Sequence, residues 1–296
     1  MSKPIIVGVA PQRDNDSSLR LATGMSRITG APIVAIASLP HETQGTRIGA
    51  DLRADAAPTL AALAGGLDAE LEVITGASPA RALNNAAIAR DAGMIVVGPT
   101  QLAWVGGLRP GTTAEQLLPS SACAIAIAPK RLNDEWTPRR VGVGFIDLEE
   151  GYEALRAAVA LAGAAAASLH VVTALEPLDL SRSTPDRIGV GLDAAEVAAR
   201  RALRVAVEQL APCVPATAKV VVGHAPDSLI ALSTEVDLLV CGSRAHGPSD
   251  LLGSVTRRLT RFANCPVIIV PRGAERSIQR LLDHHEPIST VTESAR

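Results

Sequence analysis

Short apolar runs alternate with longer segments of helical spacing along the first half of the chain. The apolar runs are Pro4–Ala10, Pro32–Leu39, Leu71–Ile74, Ile95–Val97 and Ala124–Ala128. Between them, segments such as Ser17–Thr29, Leu52–Ala64 and Ala80–Asp91 place apolar residues at helical intervals. Continuous apolar runs separated by helices are typical of buried parallel strands. The pattern therefore predicts an α/β fold in which helices flank a mainly parallel five-stranded sheet.

The second half repeats this pattern. Its predicted strands are Arg140–Phe145, Ser168–Ala174, Lys219–Val222, Leu238–Cys241 and Val267–Val270, and its longest predicted helices are Glu149–Ala165 and Asp193–Gln209. The turn Gly76-Ala-Ser-Pro79 has a counterpart in Gly223-His-Ala-Pro226. An internal repeat of this size predicts two tandem domains. We place them at residues 1–130 and 139–272, joined by a polar linker (131–138) and followed by a charged tail (273–296) with one predicted helix.

One stretch of each half has the layout of an anion-binding site. The strand Leu238–Cys241 ends at Gly242, a polar loop follows, and Gly253-Ser254 opens a helical segment. In the first half, Gly98 follows a strand and Gly111-Thr112 precedes the helical segment AEQLL. The first amides of a helix have no partner within it and the helix dipole favours negative charge there. An ordinary strand-to-helix connection with a capping serine is the alternative interpretation.

The repeated five-strand pattern, the turn after each third strand and the loop after each fourth strand resemble the universal stress protein family in its tandem form. The resemblance implies Rossmann-like domains with strand order 3-2-1-4-5. One subfamily binds ATP through the pattern G-x2-G-x9-G-[ST] and an Asp at the end of the first strand, and Mg²⁺ accompanies the nucleotide. Carried over to this sequence, the nucleotide-binding candidates are Gly98, Gly111, Thr112 and Thr113 in the first half and Asp147, Gly242, Ser243, Arg244, Gly253, Ser254 and Val255 in the second.

Both halves depart from the ATP-binding pattern. In the first half, Gln101 replaces the middle glycine and Ala10 stands where the acid is expected. In the second, Ala245 replaces the middle glycine, the loop before Gly253 is two residues shorter, and Asp147 lies one position beyond the expected acid. The leading hypothesis is a stress-response regulatory protein that binds ATP without strong catalysis. The alternatives are a scaffold that acts through protein contacts without nucleotide, and a weak ATPase.

Composition, missing motifs and cysteine spacing exclude several classes of function. A net charge of -2 and an aromatic content of 2% argue against nucleic-acid binding, and no apolar run reaches the roughly 18 residues that span a bilayer. No Walker A loop ending in Gly-Lys-[Ser/Thr] and no GxSxG motif occurs, so we do not expect an enzyme. The four cysteines show no CxxC spacing and lie on or beside apolar strands, which predicts buried thiols and a cytoplasmic setting. His224 in the second turn either faces a ligand or is a surface residue.

The last strand of each half should form a sheet edge. Both strands, Ala124–Ala128 and Val267–Val270, are apolar, and exposed apolar edges favour pairing. The family resemblance implies pairing between such edges. We therefore expect the two domains to join within the chain as a pseudo-dimer around a local two-fold axis, with homodimerisation as a further possibility.

Overall fold

A computed structural model describes residues 3–9, 16–40, 54, 69–76, 78–99, 113–176, 185–243 and 254–282. These ranges contain ten strands and eight helices. The strands are β1 (Ile5–Val9), β2 (Ile33–Pro40), β3 (Ala69–Gly76), β4 (Met94–Val97), β5 (Ala124–Ile127), β6 (Arg140–Gly144), β7 (Ser168–Leu175), β8 (Ala216–Val222), β9 (Leu238–Ser243) and β10 (Val267–Pro271). The helices are α1 (Asp16–Thr29), α2 (Pro79–Ala89), α3 (Thr113–Leu117), α4 (Glu149–Ala164), α5 (Pro185–Leu210), α6 (Ala225–Leu232), α7 (Ser254–Phe262) and α8 (Glu275–Leu282).

All ten strands form one sheet in the order β3-β2-β1-β4-β5-β10-β9-β6-β7-β8. Each half therefore has the expected order 3-2-1-4-5, and neighbouring strands within each half are parallel. β5 and β10 join the halves as an antiparallel pair, in which Ala126 lies opposite Ile268. The expected pairing of the two apolar edges within the chain is confirmed.

Helices cover both faces of this sheet, and each face has a hydrophobic core that runs through both halves. One core lies under α1, α4, α5 and α8 and includes Val7, Val96, Val143 and Val240. The other lies under α2, α3, α6 and α7 and includes Ile6, Ile95, Leu239 and Ile269. Because strand side chains alternate between faces, the apolar runs supply both cores at once. The continuity of the two cores makes the halves one packed body.

The predicted linker contributes a buried tryptophan to this body. Trp136 is 9% exposed and packs so closely on α1 that a Cβ placed on Gly24 would lie 2.5 Å from its ring. Its indole nitrogen donates a hydrogen bond to the backbone oxygen of Asp237 in the second half, at 3.3 Å. The Asp237 carboxylate in turn accepts bonds from the backbone N–H groups of Arg139 and Arg140. The sequence indicated only a polar connection here, yet the linker ties the two halves together.

The helix predicted in the charged tail is present as α8. Ile278 and Leu281 of α8 are fully buried, and the helix packs on α4 and also reaches β5. α5 begins eight residues before the predicted start at Asp193, at Pro185. The predicted helix Leu52–Ala64 lies outside the described residues apart from Ala54, which is helical. Among the helices that the structure describes, none is long and apolar enough to cross a membrane.

Candidate functional site

The carboxyl ends of β6 and β9 meet at the point where the strand order of the second half changes direction. β6 pairs with β7 on one side and with β9 on the other, and Gly144 lies beside Cys241. From this point the chain leaves β6 towards α4 and leaves β9 towards α7. Ligands of open α/β sheets bind in the crevice at such a switch point. Of the second-half candidates, Asp147 follows β6, Gly242 and Ser243 end β9, and Ser254 and Val255 begin α7.

Gly242 is required by packing at the end of β9. A Cβ placed on Gly242 would lie 2.2 Å from the backbone oxygen of Glu150, in the first turn of α4. The same turn is tight against its own loop, since a Cβ on Gly151 would lie 1.9 Å from the backbone oxygen of Ile146. Only glycine permits such approaches of one backbone to another. The glycine that the sequence assigned to a ligand is thus explained by contact between helix and strand, and Ser243 beside it is buried.

Asp147 lies in the exposed connection between β6 and α4. The Tyr152 hydroxyl donates a hydrogen bond to Oδ1 of Asp147 at 2.9 Å, and this bond raises the pKa of Tyr152 above its usual value. The Tyr152 ring packs edge-on against Phe145, with 5.2 Å between ring centroids. The tyrosine therefore holds the carboxylate in the connection that follows β6, where its sequence neighbours Ile146 and Leu148 have exposed apolar side chains.

α7 begins at the serine of the second glycine–serine pair and carries a basic outer face. Thr256, Leu259 and Thr260 are buried against the sheet, whereas Arg257 is exposed. Arg258 forms an ion pair with Asp227 in the first turn of α6. The first turn of α7 itself contains no acidic residue.

Acidic residues occupy the first turns of α4 and α6, which start at this edge of the second half. α4 begins with Glu149 and Glu150, whose carboxylates each lie 3.6 Å from the Arg272 guanidinium. α6 has Asp227 in its first turn, and Glu176, directly after β7, accepts a bond from the Ala225 N–H at 3.3 Å. These carboxylates occupy positions that a phosphate would otherwise favour. The sequence did not mark Glu176 as part of this edge. The only local signal for Glu176 is its position immediately after a strand.

His224 is a half-exposed turn residue that is held by carboxylates. Its Nδ1 lies 3.2 Å from Asp227 and its Nε2 lies 3.9 Å from Glu176. In the matching turn of the first half, the Ser78 hydroxyl caps α2 by accepting a bond from the Arg81 N–H at 3.3 Å. Each turn therefore leads into a helix. A side chain caps the helix in the first half, whereas the His224 side chain makes no capping hydrogen bond in the second. Of the two interpretations of His224, the surface turn residue fits these contacts.

The first-half candidate site has a different electrostatic character. Gly98 directly follows β4 and Thr113 begins α3, as expected. The first turn of α3 contains Glu115, whose largely buried carboxylate accepts bonds from Arg261 of α7 at 3.0 and 2.7 Å. This ion pair joins the helices that follow the two candidate loops. No local sequence pattern could have indicated it, because the partners are 146 positions apart.

Four predicted site residues, Gly111, Thr112, Arg244 and Gly253, lie outside the described residues. The prediction of buried thiols holds for Cys123, Cys241 and Cys265, and burial raises the pKa of these thiols to about 11, 12 and 12. It is wrong for Cys213, which is exposed. Cys213 lies in the turn between α5 and β8 rather than on a buried strand, so nothing packs over it. In the part of the chain that is described, no cluster of His, Cys, Asp and Glu could hold a metal ion.

Comparison with known proteins identifies the family. The model of the universal stress protein family matches residues 1–129 and 138–271. A search of the curated proteins finds no match. A universal stress protein structure from Archaeoglobus fulgidus is 18% identical, with a TM-score of 0.64, and the match covers 92% of this chain and 100% of the other. A functionally unknown protein from Pseudomonas aeruginosa is 17% identical, with a TM-score of 0.66 and 95% of each chain covered.

A third solved structure is described as a universal stress protein in complex with cAMP. It is 27% identical, and the match covers 45% of this chain and 97% of the other with a TM-score of 0.36. The two longer matches share the fold of almost the whole chain, and the family model matches both halves of the repeat. The chain belongs to the universal stress protein family.

Proposed function

We propose that this chain is a stress-response regulatory protein that binds an adenine nucleotide, ATP with Mg²⁺, at the switch point of the second half. The observation that carries the proposal is the first turn of α7. It begins where the anion-binding pattern places it and contains no acidic residue, whereas the first turns of α4 and α6 contain acids. An uncompensated helix N-terminus favours an anion.

Different residues of the second half contact the phosphates and the nucleoside of the ligand. Gly253, Ser254 and Val255 supply amides and a hydroxyl to the phosphates, and Arg244 supplies a charge-assisted hydrogen bond. Asp147 offers its carboxylate to the nucleoside, and Tyr152 keeps it oriented. Gly242 and Ser243 set the end of β9 from which the loop departs. A helix dipole alone contributes roughly 0.3–1 kcal/mol, so useful affinity needs several of these groups together.

The first-half candidates Gly98, Gly111, Thr112 and Thr113 form the second choice of site. Glu115 brings a carboxylate to the start of α3, and its Arg261 partner comes from the other half. A phosphate there would compete with the Glu115 carboxylate for the first amides of α3, and Arg261 would not be free to bind it because it already pairs with Glu115. We therefore expect the second site to be the tighter of the two.

A scaffold that works without nucleotide is the second candidate function. One observation favours it: Gly242 is required by its contact with Glu150 whether or not a ligand binds. The presence of this glycine is therefore no argument for a phosphate loop. Turnover is not part of the proposal, because positioning alone, without a base, supports at most slow hydrolysis.

Calorimetric titration of the full chain with Mg-ATP tests the proposal. We expect binding to the unmodified protein, and Arg244→Ala should weaken it by about 10- to 150-fold, which corresponds to the roughly 1.5–3 kcal/mol of a hydrogen bond to a charged group. Gly253→Val should obstruct the approach to the α7 amides. Gly111→Val is the matched control in the first half and should leave the affinity of the second site unchanged.

Two results would reject the proposal in different ways. Absence of heat and of a thermal shift at millimolar ATP would leave the scaffold function. Loss of binding in Gly111→Val with retention in Gly253→Val would move the ligand to the first half. Release of phosphate from ATP by the unmodified protein, lost in Asp147→Asn, would instead support a weak ATPase.

A further inference from the structure

The outer edge of β8 ends the ten-stranded sheet. β8 is the last strand in the sheet order, and beyond β7 it has no partner strand among the described residues. Ala216 and Ala218 are exposed, and Val222 is 56% exposed. An open edge of this kind displays backbone N–H and C=O groups that can pair with another chain.

Two backbone hydrogen bonds determine which groups face outward. The Leu169 N–H donates to the Pro215 oxygen at 2.8 Å, and the Gly223 N–H donates to the Leu175 oxygen at 2.9 Å. Alternate residues of a parallel strand bond to the same neighbour, so the odd-numbered residues of 215–223 face β7. The backbone groups of Ala216, Ala218, Val220 and Val222 therefore point to the open edge. We call these four residues the β8 edge.

A groove of about 460 Å³ lies between this edge and α5. Leu203, Val207 and Val220 line it with apolar surface. A strand added to the β8 edge would direct every second side chain to the α5 side of the sheet, where this apolar surface lies. The groove and the edge thus suit a single extended segment that uses both.

Charged side chains flank the β8 edge on both faces of the sheet. Arg200, Arg204 and Glu208 of α5 lie at the groove, whereas the side chain of Lys219 alternates with that of Val220 and points to the other face. Arg200 bonds to Glu196, and Arg204 is 3.9 Å from Glu208 with both side chains about two-thirds exposed, a weak pair. Lys219 has no ion-pair partner within the described ranges. An incoming segment with acidic side chains near Lys219 would therefore be attracted, and a segment with basic side chains there would be repelled.

The same charges disfavour a second copy of this chain at the edge. An antiparallel pair of β8 strands around a two-fold axis near the strand centre would bring the two Lys219 side chains opposite or diagonal to each other. Like charges at such positions destabilise a strand pair. A partner of opposite charge has no such penalty.

We propose that the β8 edge and the α5 groove bind an extended segment of a partner protein in which aliphatic and acidic residues alternate. The segment adds to the sheet as an eleventh strand. Its backbone pairs with the β8 edge, its aliphatic side chains enter the groove, and its acidic side chains lie near Lys219 on the other face. This binding is independent of nucleotide.

Hydrogen exchange of the free protein provides a first test that needs no ligand. The amides of residues 216, 218, 220 and 222 should exchange quickly, whereas those of 217, 219 and 221, which bond to β7, should be protected. Such alternation within one strand is expected only if the outer edge is open to solvent. Protection of all seven amides would overturn the proposal, because the edge would already be covered.

Fluorescence anisotropy with a labelled seven-residue peptide of alternating Val and Glu tests the partner chemistry. We expect the full chain to bind it and to bind the Val-Lys peptide of equal length at least tenfold more weakly. Lys219→Glu should reverse that preference. Ala218→Pro removes one outward N–H while the bonds to β7 remain, and should weaken binding at least tenfold, whereas Gly163→Ala on α4, outside both the edge and the groove, should bind normally.

Three outcomes would contradict the proposal. One is equal binding of the Val-Glu and Val-Lys peptides. Another is undiminished Val-Glu binding by an Ala218→Pro variant in which the amides of residues 217, 219 and 221 remain protected from exchange. The third is a concentration-dependent dimer, seen by light scattering, that Ala218→Pro abolishes; this would assign the edge to a second copy of the chain.

Discussion

At the residue scale, the glycine near the end of β9 shows how a single position can satisfy two interpretations. The pattern of the sequence assigns Gly242 to a phosphate loop, and the structure places the backbone oxygen of Glu150 where its side chain would be. A methyl group there must displace the start of α4. Because Asp147 lies just before α4 and its partner Tyr152 lies in the first turn of α4, a shift of this helix start would also move the candidate site.

We predict that Gly242→Ala destabilises the protein by about 1–3 kcal/mol, the usual cost of overpacking a buried contact. Gly163→Ala is the control, because a Cβ on Gly163, near the end of α4, meets nothing within 4 Å. It should be neutral or stabilise by up to about 1 kcal/mol, as expected for replacing a helical glycine. Urea unfolding followed by circular dichroism measures both. Equal stability of the two variants would refute the packing explanation of Gly242.

Some residues of the candidate site could be predicted from the sequence and others could not. The glycine and serine positions were accessible because a strand followed by a glycine and a helix start has a local signature. Glu176, Glu115 and Arg261 were not accessible, since their roles depend on contacts between distant segments. The preference for the second site now rests on these carboxylates, which the sequence pattern alone could not weigh.

At the scale of elements, the strands were predicted closely and some helices less so. Buried parallel strands leave continuous apolar runs, and those runs match all ten strands of the described sheet to within a few residues. α5 was predicted too short because Pro185–Leu192 includes two glycines and a proline, which weaken the helical pattern without preventing a helix. The role of α8 was invisible in the sequence, because amphipathic spacing does not reveal which surface a helix covers.

α8 covers the junction between the halves, and its two buried side chains should account for most of its docking. We predict that Leu281→Ala destabilises the protein by about 2–5 kcal/mol, the range for a fully buried leucine. Gln279→Ala, on the exposed side of the same helix, should change stability by less than about 0.5 kcal/mol. Thermal unfolding of the two variants would show the difference. A small effect of Leu281→Ala would mean that α8 contributes little to the junction.

At the scale of the whole molecule, four separate features join the two halves. β5 and β10 make the sheet continuous, Trp136 of the linker bonds to Asp237, α8 reaches β5, and Arg261 pairs with Glu115. Both hydrophobic cores include residues from each half. Chains of several domains commonly unfold in more than one step. Here neither half can unfold without exposing core surface of the other.

We therefore predict that the two halves unfold in a single cooperative transition. Calorimetry should give a ratio of calorimetric to van 't Hoff enthalpy of about 1, and circular dichroism and tryptophan fluorescence should follow the same curve. Ala126→Glu tests the cause, because Ala126 is fully buried and lies opposite Ile268 at the centre of the β5–β10 pair. A buried unpaired carboxylate there should lower the unfolding temperature and separate the transition into two. Two transitions in the unmodified chain would show instead that the halves fold as independent domains that merely share an edge.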